Sequence, residues 1–315
     1  MRLIGPLLRR IGIDPAIKRY VAIGLRPVEV DVTVSLERHG NVQDVSACCS
    51  VASLRPLRLS IASPADPGER PADLWFEGND GRRLGHLEIQ PAGRAGPGGD
   101  YQLYRVVRSQ DLCVRRAELW TNYLRFEVER LRRISRKDPF PLGGLSLWAT
   151  LIFYTRPRPV VIVSVGEAGA ANFFPMDLLG LSEDGAFLMA LRSSSPNVPV
   201  MCRTKRIAMA EIPLAFKERA YALASGHSRL RGPGEALPFD VVDSPIWCLP
   251  VPAQAVRVRE VEVTHVDEVG SHHLFTTRIV HDSGSDAPRL HHVSGFYERG
   301  QRGRERPPAV DVARA

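Results

Sequence analysis

Between Val28 and Leu36 the chain alternates strictly: Val28, Val30, Val32, Val34 and Leu36 are apolar, while Glu29, Asp31, Thr33 and Ser35 are polar. Successive side chains of an extended chain point to opposite faces, so a period of two specifies a strand with one face buried and the other wet. A sheet is therefore the frame, and the sequence extends it. Strand-like runs at Leu57 to Ala62, Asp73 to Phe76, Arg83 to Ile89 and Tyr101 to Val107 are separated by Gly/Pro/Asp-rich stretches such as Asn79-Asp80-Gly81 and Ala92 to Gly99.

Helical signals are fewer. Asp14-Pro15 reads as an N-cap followed by a first-turn proline, predicting a short helix to about Ile23. Ala117 to Ile134 carries Leu119, Tyr123, Phe126, Leu131 and Ile134 at helical spacings with charges between them, an amphipathic helix. Ser135 to Gly144, with Pro139, Pro141 and Gly143-Gly144, has the composition of a linker. After it, strands are predicted at Ser146 to Tyr154, Val160 to Val165, Ala186 to Leu191, Arg206 to Glu211, Arg257 to Val263 and Leu274 to His281, with a helix from Leu214 to Ala224. The expected organisation is a β-rich N-terminal domain (1–140) ending in the amphipathic helix, a second β domain (141–299) and a disordered tail (300–315). Arg26-Pro27-Val28 and Arg158-Pro159-Val160 each open an apolar strand that leads to Ser-Pro, at Ser63-Pro64 and Ser195-Pro196. Identity between the halves is thin, so an unrelated β domain is the better reading than a duplicated barrel.

At 315 residues the chain can bury a real core, and 44% hydrophobic with 24% charged residues is ordinary for a folded protein. The net charge of +7 comes from arginine, including clusters at Arg130, Arg132, Arg133, Arg136 and Lys137 and at Arg299, Arg302, Arg304 and Arg306. Neither cluster has interleaved aromatics, which argues for a solvated face or small phosphate ligands and against nucleic acid. Cys48, Cys49, Cys113, Cys202 and Cys248 form no CxxC pair and no zinc spacing, so buried reduced thiols and no metal site are expected. The apolar run Leu145 to Tyr154 is far short of the roughly 20 residues of a membrane span, and Pro6 and Arg9-Arg10 interrupt a signal-like N-terminus. A cytoplasmic protein with no membrane partner is expected.

There is no GxGxxG opening a helix, no P-loop, no HExxH and no GxSxG. Four other segments follow in order: Tyr154 to Pro159 running into Val160 to Val165; Asn172-Phe173-Phe174-Pro175-Met176-Asp177 after a turn at Gly169; Phe187 to Leu191 leading into Arg192-Ser193-Ser194-Ser195-Pro196-Asn197; and Gly270-Ser271-His272 before Leu274-Phe275, with His292 to Tyr297 closing the series. Over roughly Leu145 to Tyr297 this order resembles the flavin reductase-like, FMN-binding split-barrel family. The resemblance implies a mainly β fold with some α, a C-terminal FMN-binding split β-barrel preceded by a β-rich N-terminal domain whose role is unassigned. It also implies an FMN-dependent NAD(P)H oxidoreductase, a flavin reductase supplying reduced flavin to a partner oxygenase or reducing a small acceptor, built as a homodimer with FMN at the subunit interface. The alternative is a non-catalytic split barrel that binds flavin or another ligand while its N-terminal domain recognises a partner.

Each segment suits a job in that frame. The isoalloxazine rim offers donors and acceptors that a strand edge can meet, and Asn172, Phe173, Phe174, Pro175, Met176 and Asp177 form such an edge because Pro175 breaks regular pairing. Arg192, Ser193, Ser194, Ser195 and Asn197, completed by Arg203, supply the cation and hydroxyls a phosphate requires. The resemblance places His272 beside the flavin and the nicotinamide as the catalytic residue, orienting rings while the cofactor carries the reaction. His273, His291 and His292 read as surface histidines. Two residues depart from the family: Asp177 stands where a small hydroxyl residue is usual, and Ser271 replaces the usual Asp. A carboxylate at the ring could accept from flavin N3–H but would disfavour an anionic reduced flavin.

Overall fold

The computed structural model describes residues 14, 16–62, 70–135, 142–166, 171–181, 185–225, 237–301 and 310–311. Strand β1 (Tyr20–Leu25) is followed by β2 (Val32–Arg38), β3 (Asn41–Asp44), β4 (Cys49–Leu54), β5 (Leu57–Ala62), β6 (Ala72–Gly78), β7 (Arg83–Ala95) and β8 (Tyr101–Asp111). Helices α1 (Arg116–Ser135) and α2 (Gly144–Phe153) precede β9 (Arg158–Pro159), β10 (Val161–Val165), β11 (Asn172–Met176), β12 (Leu179–Leu181) and β13 (Ala186–Arg192). Then come α3 (Asn197–Thr204), β14 (Arg206–Glu211), α4 (Lys217–Ser225), β15 (Val241–Asp243), β16 (Pro250–Pro252), β17 (Arg257–Val269), β18 (His272–Gly284), β19 (Arg289–Ser294), α5 (Gly295–Gln301) and β20 (Val310–Asp311).

The mainly β fold is built on two seven-stranded sheets, both antiparallel throughout. The second runs β11-β10-β14-β17-β18-β13-β12. Its edges are β11 and β12, yet only Asp177 and Leu178 separate them in sequence. The sheet therefore has to curl until its edges meet at that link and diverge beyond it, which is a split barrel. Alternate residues fill the interior: Val161, Val163 and Val165 of β10 meet Phe174, Met209, Val261 and Phe275, with Val198 and Met201 of α3 plugging one end. The other face is also covered, since Ile162, Phe173 and Ala208 pack with Ala220 and Leu223 of α4. Burial on both faces is why these strands read as continuous apolar runs.

The first sheet runs β3-β2-β6-β7-β8-β5-β4. Taken in chain order, each strand occupies the place of its counterpart in the second sheet: β2 matches β10, β3 matches β11, β4 and β5 match β12 and β13, and β6, β7 and β8 match β14, β17 and β18. The hydrogen-bonding order thus repeats where the side chains do not.

Several expectations need correction. The segment after Asp14 is not a helix to Ile23; Tyr20–Leu25 is β1, paired antiparallel with β19. The apolar run read as a strand from Ser146 is α2, with Leu147, Ala149, Leu151, Ile152 and Phe153 all buried. From Leu147 on only Trp148 is not fully buried, and a helix covered on nearly every side shows no amphipathic period. It packs on β7 where Gly85 has no side chain: a Cβ there would lie 2.7 Å from Ile152 Cγ2. Thus α2 belongs to the N-terminal core, and the expected linker falls largely on 136–141, outside the described residues. So does the Gly169 turn. Of the expected tail, α5 reaches Gln301 and Val310–Asp311 pair with β1, while 302–309 and 312–315 lie outside the described residues. Among the described residues no helix is long and apolar enough to cross a membrane.

Candidate functional site

Three of the four segments singled out in the sequence meet at one end of the C-terminal barrel. Asn172 opens edge strand β11, and its Nδ2 donates to Asn197 Oδ1 at 2.6 Å. The Asn197 N–H donates to Ser195 Oγ at 3.3 Å, and the Ser195 N–H donates to the Arg192 carbonyl at 2.9 Å. The loop after β13 is thereby folded onto the start of α3. From there it reaches the third segment: the Ser193 N–H donates to the Ser271 carbonyl at 3.0 Å, and Ser193 Oγ lies 3.1 Å from His273 Nδ1. Asn172, Ser195 and Asn197 are buried, whereas Ser193 is half-buried and Ser194 exposed. The buried members shape the loop, and Arg192, Ser193 and Ser194 form its accessible rim.

His272 lies behind this rim with only 1% of its surface exposed. Its Nδ1 lies 2.9 Å from Ser271 Oγ and 3.5 Å from the Leu54 N–H of the N-terminal barrel. Burial, assisted by the Arg192 charge, pushes its pKa down to about 4, so the ring is neutral near pH 7. An Nδ1 that accepts from Leu54 N–H leaves the proton on Nε2. The turn before it requires glycine twice over: Gly270 has φ +58°, and a Cβ there would lie 2.6 Å from the Arg55 carbonyl.

The remaining candidates fall elsewhere. Phe173 and Phe174 point to opposite faces of β11 and are buried with Met176 in the two core layers, so only backbone is presented along that edge. Pro175 sits opposite Ile162 in the register, and an edge strand tolerates its missing N–H. Arg203 is exposed at the last turn of α3, about 9 Å of helical rise beyond Asn197.

Asp177 closes the far end of β11 from Asn172. Its carboxylate lies 2.7 Å from His292 Nδ1 and is bonded by the Tyr154 hydroxyl. Burial alone would raise the Asp177 pKa, but His292 and Tyr154 together hold it below the usual value. The chain continues, with His292 Nε2 2.8 Å from the Tyr221 hydroxyl. Sequence reasoning missed this cluster because Tyr154, Asp177, Tyr221 and His292 come from four distant segments. The expectation of surface histidines also fails for His291, which is 3% exposed and bonded to the Arg289 carbonyl at 2.9 Å. Among the described residues, no group of His, Cys, Asp and Glu is placed to hold a metal ion. Of the five cysteines, Cys48, Cys49 and Cys113 are buried, whereas Cys202 and Cys248 are exposed.

No family model matches the chain, and no curated protein matches it. Among solved structures it is similar to an NADH:FAD oxidoreductase of Streptomyces globisporus, at 16% identity and a TM-score of 0.40 over 49% of this chain and 91% of that one. An FMN-binding protein of Thermus thermophilus aligns at 20% identity and a TM-score of 0.37, over 47% of this chain and 79% of that one. The flavin reductase component of a bacterial two-component tryptophan halogenase aligns at 12% identity and a TM-score of 0.40, over 47% of this chain and 92% of that one.

Proposed function

We propose that the C-terminal barrel binds FMN at the end formed by Asn172, Arg192 to Asn197 and Gly270 to His273, and that the protein is an NAD(P)H-dependent flavin reductase. It would hand its electrons to a partner oxygenase or a small acceptor. The observation that supports this reading is the direct bonding of three sequence-remote segments, with Arg192, Ser193 and Ser194 at their accessible rim. The Ser193, Ser195, Asn197 and Val198 N–H groups are already spent within the protein. Side chains therefore supply most of the phosphate contact: the Arg192 guanidinium and the Ser194 hydroxyl, with the Ser193 hydroxyl that also bonds His273, fit a dianion that wants several donors and positive charge. The backbone along the open edge of β11 would meet the polar rim of the ring. Bound flavin supplies the hydride-accepting centre, and the protein supplies alignment. In that arrangement neutral His272, held in place by Ser271 and Leu54, backs the rim from behind, and Asn172 acts by fixing the loop through Asn197.

The test is direct. The purified protein is titrated with FMN while flavin fluorescence is followed, then assayed for oxidation of NADH and NADPH with added flavin. Saturable binding and nicotinamide consumption are expected. A protein that neither binds FMN nor consumes nicotinamide ends this reading. Binding without turnover selects the non-catalytic alternative, which the deep burial of His272 favours.

A further inference from the structure

We infer that this chain is its own dimer: the N-terminal barrel is a degenerate second copy of the C-terminal one, pairs with it about a pseudo-twofold axis, and completes a single ligand site per chain. The repeated strand order carries the first part. Seven strands joined antiparallel in the same non-sequential order, twice in one chain, mark two copies of one unit.

The contact between the copies joins equivalent positions. Ala95 ends β7 and pairs with Tyr101, the first residue of β8; Val269 ends β17 and pairs with His272, the first residue of β18. Leu103 and Leu274 are the third residues of those second strands. Ala95, Tyr101, Leu103, Val269 and Leu274 lie in one buried apolar cluster with Ala52, Leu188 and Ala190. The short edge strands β4 and β12, themselves counterparts, also meet: the Leu181 N–H donates to the Ala47 carbonyl just before β4 at 3.0 Å, and a Cβ on Gly180 would lie 2.8 Å from Ser50 Cβ. Each long hairpin tip reaches the other barrel, with the Gly96 N–H donating to Asp267 Oδ2 at 2.8 Å and the Ser271 N–H donating to Ser53 Oγ at 3.2 Å. Like positions facing like is the signature of a two-fold contact. The face a second copy would use is therefore occupied from within the chain.

The two copies are not equipped alike. Thirteen residues, Ser193 to Lys205, including α3 and the serines of the rim, connect β13 to β14; only nine, Ser63 to Pro71, connect β5 to β6. The shorter connection has the sequence SPADPGERP, with two carboxylates and no run of hydroxyls. Tyr101 stands where the second copy has His272. A phosphate-bearing ligand accordingly has one site, and the N-terminal copy serves it by seating the His272 turn through Ser53 and Leu54.

The stoichiometry rests on the flavin reading, whereas the pairing does not. Sedimentation equilibrium of the full chain and FMN titration separate the two. A single-chain mass near 34.9 kDa with one FMN per chain is expected. A stable two-chain assembly overturns the internal dimer, and two FMN per chain overturn the single site. A single-chain mass with no FMN bound defeats the flavin reading and leaves the pairing standing. Ser53→Ala lies in the other copy from every proposed flavin contact, and it is expected to weaken FMN binding by roughly three- to tenfold, the scale of one lost positioning hydrogen bond. Unchanged affinity, with thermal unfolding showing the variant folded, removes the N-terminal copy from the site.

Discussion

Asp177 and His292 are joined by a 2.7 Å hydrogen bond that ties the link between the two barrel edges to strand β19. An ionised carboxylate only accepts, so His292 Nδ1 donates to it, and Nε2 on the other side of the ring meets the Tyr221 hydroxyl. The carboxylate is committed within the protein. Asp177→Asn is therefore expected to cost about 1–3 kcal/mol of stability. FMN affinity should stay within about twofold, since the residue closes the opposite end of β11 from the proposed site. Urea unfolding and FMN titration of the same preparation check this; a tenfold loss of affinity at unchanged stability would return Asp177 to the flavin.

The serine loop divides into shaping and contacting members. Ser195 is buried and accepts from Asn197, so Ser195→Ala should lower stability by about 1 kcal/mol. The double variant Ser193→Ala/Ser194→Ala should leave the melting temperature nearly unchanged yet weaken FMN binding by roughly tenfold, because half-buried and exposed hydroxyls contribute little to folding. Equal affinity in the double variant and the parent would remove the rim from the site.

Two buried histidines set an acid limb. Burial pushes both His272 and His291 down to about 4, from an ordinary value near 6.5. Between those values the unfolded chain takes up protons that the folded chain refuses. The stability difference is thus fully present above pH 6.5 and is lost progressively as pH falls toward 4. Each ring accounts for up to about 3 kcal/mol across the window. The urea midpoint should fall steeply from pH 7 to 5, and His291→Phe should flatten that fall. A variant with the parent's slope would show that His291 takes up its proton as readily in the folded protein as in the unfolded chain.

Glu211 sits between Arg259 and Arg289, with Asp282 3.1 Å from Arg259 on the outer side. Its side chain is 6% exposed and that of Arg289 is 4%. Glu211→Gln leaves two cations in a buried place, for which a cost of about 3–5 kcal/mol is expected. Thermal unfolding at low and high salt checks it. A change below about 0.5 kcal/mol would place the pair in the category of solvated ion pairs.

The parts of this fold that were legible in the sequence are those where one physical signal dominates. β5 (Leu57–Ala62) and β14 (Arg206–Glu211) have the predicted bounds, and α1 differs from its predicted span by one residue at each end. Two elements were misread for opposite reasons. From Leu147 on α2 is buried on nearly every side, so its apolar run carries no period, while Asp14-Pro15 supplied helical start signals to a segment that pairs with β19 instead. β3, β4 and β12 escaped although each pairs with its neighbour in sequence, because so few residues show too little of a period. The candidate site was half legible: Asn172, Ser195, Asn197 and His272 converge as residue types suggested, but nothing local announced that Ser53 and Leu54 would stand behind His272. The duplication was least visible, since hydrogen-bonding order can persist while side chains on both faces change.

Placing both barrels on one chain also alters what a single substitution can do. In an assembly of identical subunits every change is made twice and must suit both sides of the axis at once. Here Tyr101 and His272 hold equivalent places with different chemistry, and one connection can shorten while its counterpart keeps a helix. Symmetry is retained where packing needs it, at Leu103 and Leu274, and abandoned where a ligand would be handled.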